Sequence, residues 1–301
     1  GRRAAQLQRE LAARKLQAVE QVHQQLSARR ALNSQATAWL GAAREKIQLS
    51  DAALASGDYP TAYRQAQRGM RPLRLLQRAH WESAASLLPS PVTSPAAVSF
   101  ATLPWHWSLM ERIASARPGP NAVEGGDFEE LGTMLRAGWQ HFQHPSPGVY
   151  AEADLTSEAA HSGRFGLRLA AQAIEPDQPE ILVESPPSWI TAPAVPVQAG
   201  ELVSIHGWVQ VPEPIRGSVD GLLIIDSLSG EPLAERILET AGWKEFTLYR
   251  IATEPGNIAL TFALSGVGEA WVDDVTVQTA PLAGFRPTRF DVGRLPRPSH
   301  P

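Results

Sequence analysis

Cysteine is absent from this chain of 301 residues. With it go disulfide scaffolds, thiolate-bound zinc, iron–sulfur clusters and thiol nucleophiles. The redox compartment stays open, because a larger exported domain folds without disulfides. No apolar run reaches the roughly 18 residues that a membrane-spanning helix needs, and no signal peptide is visible. The chain opens on Gly1 rather than Met, which we read as a piece of a longer protein whose address label could lie upstream. Neither a Gly-x-Ser-x-Gly elbow nor a phosphate-binding glycine loop occurs. What is present is ordinary for a folded protein: 43% apolar and 19% charged residues, which excludes wholesale disorder.

The net charge of −4 conceals two opposed halves. Residues 1–90 hold 14 Lys and Arg against 6 Asp and Glu, whereas residues 121–279 hold 7 against 23. Such a contrast marks two structural units. An acidic second unit repels phosphates, which argues against nucleic acid as its ligand. It tolerates neutral ligands and cations held by carboxylates.

Residues 1–88 read as helical. Residues 2–30 lack Pro and internal Gly and are rich in Ala, Gln, Leu and Arg. Leu7, Leu11, Ala18 and Val22 form one apolar stripe, and Leu16, Val19, His23 and Leu26 a second. Two stripes suit a helix with two neighbours or a short coiled coil. A second helix is expected over about 34–55, stopped at Ser56-Gly57-Asp58. A third starts at Tyr59 and runs to about Leu76, with a kink or a new helix start expected near Arg71 because of Pro72. Gly57-Asp58-Tyr59 with Ala62, Tyr63 and Ala66 resembles one helix–turn–helix unit of tetratricopeptide type.

Residues 89–120 form a Pro-rich connector with a short helix around Trp105 and Trp107. These rings either stack on sugar or pin the connector to a neighbouring domain. From Asn121 the period becomes two. Val203, Ile205, Val209 and Val211 alternate with Ser204, His206, Trp208 and Gln210, and comparable series surround Leu167, Phe246, Phe262 and Val275. Strands with no intervening helix predict an antiparallel β-sandwich of jelly-roll type over 121–279. A flexible Pro- and Arg-rich tail fills 280–301. The expected fold class is thus multidomain α and β: a helical hairpin or bundle, then a jelly roll.

Several pieces of the second unit carry a resemblance. In order they are Glu124-Gly125-Gly126-Asp127-Phe128-Glu129, Gly138-Trp139, Ala160-His161-Ser162-Gly163-Arg164, Gly207-Trp208-Val209, Gly242-Trp243 and Trp271-Val272-Asp273-Asp274-Val275. Together they resemble carbohydrate-binding modules of the family 4/9 and 22 type, among the galactose-binding-like jelly rolls. The helical segment before them resembles part of a planctomycete-type exported multidomain protein. The resemblance implies a non-catalytic module that binds an oligo- or polysaccharide and positions an upstream domain, with an extracellular or cell-envelope location. It also implies a structural calcium ion tying the N-terminal segment to the last strand, with Glu129, Asp273, Asp274 and Asp127 as candidate ligands. Alternation would place Asp273 on the face of Val275 and Val277.

For sugar, the outer side of the 201–210 strand offers His206, Trp208 and Gln210, which Trp189, Tyr249 and Arg250 could join. The alternative is that Trp208 lies under a neighbouring loop or the helical unit, making the sandwich a structural or protein-interaction module without a sugar ligand. Trp139, Trp243 and Trp271 match positions that are mostly structural in the family. His141 and His144 lie in a Pro-rich stretch without a nearby carboxylate, poor ground for a metal. Adjacent carboxylates such as Asp273 and Asp274 face opposite ways on a strand and cannot flank one glycosidic bond.

Overall fold

The computed structural model describes residues 1–30, 32–93, 103–175 and 182–282, with the side chains of 103–108 left out. The chain forms two compact units. The expectations for the side chains of Trp105 and Trp107, and for the tail past Leu282, fall outside the described residues.

The first unit is a helical bundle. Helix α1 spans Arg2–Ala28, α2 Ala36–Ala55, α3 Tyr59–Ala85 and α4 Leu103–Ser115. Gly57, at a φ of +77°, ends the α2 segment. Asp58 then caps α3 by accepting from the Thr61 amide at 3.1 Å. Pro60 occupies the first turn, where no amide is needed. No new helix starts at Pro72: α3 runs through it to Ala85. Met70, Leu73 and Leu76 are buried on either side of the proline. Their packing holds the helix together across the one lost backbone bond. On α1 the buried residues come from both stripes, Val22 from the first and Val19 and Leu26 from the second, while Leu7 and Leu11 stay exposed. Helix α4 packs on α1 and α3 and belongs to this unit.

The second unit is an antiparallel β-sandwich, as expected. A short helix, α5 (Leu131–Ala137), precedes the strands β1 (Gln140–Gln143), β2 (Val149–Thr156), β3 (Gly166–Ala173) and β4 (Ser188–Thr191). Next come β5 (Val195–Val197), β6 (Glu201–Gln210), β7 (Arg216–Asp226), β8 (Glu235–Ile237), β9 (Lys244–Ile251), β10 (Gly256–Ile258) and β11 (Leu260–Pro281). Sheet I runs β1-β4-β11-β7-β8. Sheet II runs β2-β3-β11-β6-β9. The two therefore share β11, whose first third pairs in sheet I and whose remainder pairs in sheet II. The crossing falls at Gly266 and Gly268, with φ of +121° and +152°.

Between the sheets lie Ile190, Leu222, Ile224, Phe262 and Leu264 from one side and Leu169, Val203, Ile205, Val209, Phe246 and Leu248 from the other. Gly207 is needed there: a Cβ would sit 2.8 Å from the Phe246 ring. One polar pair crosses the core edge. Arg250 of β9 donates through Nε to Asp226 of β7 at 2.7 Å, and both side chains are fully buried. The second Asp226 oxygen accepts the amides of Leu228 and Ser229.

Candidate functional site

The outer face of sheet I presents a row set by strand register: Phe142, Trp189, Ala263, Leu223 and Arg236 lie opposite one another on five neighbouring strands. Phe142 and Trp189 stack with ring centroids 5.6 Å apart and planes 17° apart. Phe142 is 40% exposed and Trp189 half-buried. Ala263 and Leu223, with Ala234, make an apolar floor on which Trp189 and Ile225 pack. The next row carries Gln140, Thr191, Thr261 and Ile225, with the Thr191 and Thr261 hydroxyls 3.0 Å apart. At the far end Arg236 donates to Asp220 at 2.8 Å. This face joins an aromatic platform, hydroxyls and a fixed guanidinium, the group types that read a sugar ring and its hydroxyls.

The sequence named Trp189 but missed Phe142, because Pro145 and Pro147 disguised β1 as loop. Within β1, His141 bonds the Ser188 hydroxyl at 3.0 Å. His144 lies just past the strand. Burial holds the His141 ring below the ordinary imidazole range.

The outer face of sheet II carries His206, Trp208 and Gln210, each half-buried. The ring of His161 lies flat on Trp208, with centroids 4.0 Å apart and planes 11° apart, and meets Trp243 edge-on at 5.7 Å. One face of Trp208 is therefore covered by a loop residue. His206 pairs with Glu245 at 2.8 Å. Tyr249 is buried, so it offers no ligand surface. Burial raises its phenol above the usual range. Arg250 does not reach this face at all. It shares the inward parity of Phe246 and Leu248 and is taken up by Asp226. Beside these residues, Arg168 is held by Glu152 at 2.8 Å and Glu269 at 2.6 Å.

Three of the four residues implied for calcium come together around one loop. Asp273 accepts the amides of His161 (2.7 Å) and Ser162 (3.1 Å) on one oxygen and its neighbour Asp274's amide (2.7 Å) on the other. Asp274 accepts from His161 Nδ1 (2.6 Å) and Ser162 Oγ (2.8 Å). Glu129 accepts the amides of Arg164 (2.7 Å) and Phe165 (3.0 Å). Asp127 is exposed and stands apart from these bonds. Asp273 does not share the face of Val275 and Val277. A bulge, with Asp274 at a φ of +51°, intervenes, and Asp273 sits opposite Trp208 in register. Burial raises the Asp273 carboxyl against the pull of its three amides, whereas the Phe165 and Arg164 amides lower that of Glu129.

A calcium ion takes six to eight oxygen donors. Five of the six oxygens of Glu129, Asp273 and Asp274 instead accept N–H or O–H donors, and among the described residues no group of three or more acidic or histidine side chains is placed to hold a metal ion. The set does not fit the ion.

Among solved structures, the chain is similar to the CBM22-1 xylan-binding domain of Paenibacillus barcinonensis Xyn10C, at 16% identity over 56% of this chain and 99% of that one, with a TM-score of 0.33. It is similar to TmCBM61, solved with β-1,4-galactotriose, at 16% identity over 53% and 98%, with a TM-score of 0.33. It is also similar to a CBM4 module, at 15% identity over 52% and 99%, with a TM-score of 0.37. No protein-family model matches the sequence, and no curated protein does.

Proposed function

We propose that the second unit is a non-catalytic carbohydrate-binding module whose ligand lies across the outer face of sheet I. The observation that carries this reading is the stacked, accessible Phe142–Trp189 pair beside Thr191 and Thr261. An aromatic pair stripped of water by a pyranose face supplies the affinity, and the hydroxyls and Arg236 read the sugar's orientation. On this reading the module positions other domains of the same polypeptide, in the extracellular or envelope setting that the resemblance implies.

The capped Trp208 and buried Tyr249 favour a second role for sheet II, as a structural rather than a ligand face. A glycan-array screen of the full chain tests both. Specific binding lost in Trp189→Ala and Phe142→Ala but kept in Trp208→Phe supports the proposal. Absence of binding across the array leaves the structural role as the function of the whole sandwich.

A further inference from the structure

We propose that this sandwich holds its N-terminal segment and last strand together with a hydrogen-bonded clasp, residues 161–165, and needs no cation to do so. The inference rests on chain geometry and is independent of any sugar ligand. The segment before α5 already runs along β11 through direct bonds. The Gly119 amide donates to the Thr279 carbonyl at 2.9 Å, and the Ala122 amide to that of Val277 at 2.8 Å. The Val275 amide returns a bond to the Gly126 carbonyl at 2.7 Å, and the Asn121 side chain accepts from the Val277 amide at 3.0 Å.

What these bonds leave over is negative charge: Glu129 at the end of the segment, and Asp273 and Asp274 in the bulge. Three carboxylates this close repel one another unless something positive stands among them. Residues 161–165 take that place. The amides of His161 and Ser162 point at Asp273, and those of Arg164 and Phe165 at Glu129. Successive amides converging on carboxylates form an anion-binding concavity built from backbone dipoles. Gly163 makes the turn possible. It sits at a φ of +64°, and a Cβ there would strike the Glu129 carboxylate.

The third carboxylate is met by side chains. Asp274 is acceptor-only when ionised, so His161 Nδ1 must carry the proton between them. The same imidazole lies on Trp208 and against Trp243. His161 therefore fastens the last strand, β6 and the turn before β9 at one point. A calcium ion entering among these oxygens would compete with seven donors.

The test is thermal unfolding of the full chain with millimolar calcium or with EGTA, together with calorimetric calcium titration. We expect superimposable melts and no binding heat. His161→Phe keeps the ring over Trp208 but removes the proton donor, and Ser162→Ala removes the hydroxyl. Each should lower the melting temperature by about 2–4 °C for roughly one hydrogen bond lost, with no recovery on adding calcium. His161→Phe should also leave tryptophan fluorescence near its wild-type maximum, whereas His161→Ala should shift it as Trp208 is uncovered. A saturable calcium-dependent rise in stability that disappears in Glu129→Gln would overturn the proposal. So would a His161→Phe protein that melts with the wild type.

Discussion

Both sheets of the sandwich put tryptophan, hydroxyl and charged residues on their outer faces, yet the two faces treat them differently. On sheet I the rings of Phe142 and Trp189 stack on each other and keep surface in solvent. On sheet II the rings and charges named above are already engaged: His161 on Trp208, Glu245 on His206, and Glu152 and Glu269 on Arg168. The composition of a face thus says less about binding than whether its groups are already engaged. A ring covered closely by a loop residue gains less from a sugar than a pair of rings that keeps surface in solvent.

The largest effect should come from the pair that joins the sheets below these faces. Asp226→Ala would strand the buried Arg250 guanidinium, at a cost of about 3–5 kcal/mol, and both faces would fail together in chemical denaturation. If sugar binding survived this substitution undiminished, the two faces would not depend on a shared core.

The helical unit offers the counter-case of a polar group buried without a partner. His80 is 2% exposed and neither ring nitrogen has a hydrogen-bond partner. Burial first, and His23 second, lower its pKa to about 4. The neutral ring is the folded form, so the unfolded chain binds the extra proton between pH about 6.5 and about 4. Stability of this unit should therefore fall as pH drops through that window, by roughly 3 kcal/mol in full. His80→Leu should flatten that dependence, read as helical circular dichroism against pH.

Smaller effects separate the faces directly. Trp189→Ala should weaken sugar binding by about tenfold, or about 1.4 kcal/mol, in a titration at constant fold. Trp208→Ala should act on melting temperature and leave binding unchanged; the reverse pattern would exchange the roles of the two sheets. Smallest of all, Glu245→Gln breaks a half-exposed pair with His206 and should cost only about 0.2–1 kcal/mol.

Much of this was legible in the residues. Alternation located the strands and the inner residues Val203, Ile205, Phe246 and Phe262, because a one-residue slip would expose every one of them. It also contained the position of Arg250, which shares a parity with Phe246 and Leu248, and of Asp226, which shares one with Leu222 and Ile224. Reading those two parities together would have found the buried pair. Other features depend on information that side-chain types do not carry. The bulge at Asp274 is a backbone angle, and it alone moves Asp273 off the Val275 face. The donors that meet Glu129 and Asp273 are mostly amides, which every residue but proline possesses. Phe142 was hidden because its strand has four residues and pairs only at an edge. The full length of α3 was missed because packing on both sides of Pro72 outweighs a local penalty.

The shared strand β11 has a mechanical consequence. Its 22 residues are bonded to β4 and β7 at one end and to β3 and β6 at the other. Tension entering at Pro281 loads the sheet II ladders in shear first and reaches sheet I only after crossing Gly266 and Gly268. Those two residues, whose backbones have the fewest steric limits, become the hinge at which a pulled molecule would part into two successive rupture events rather than one.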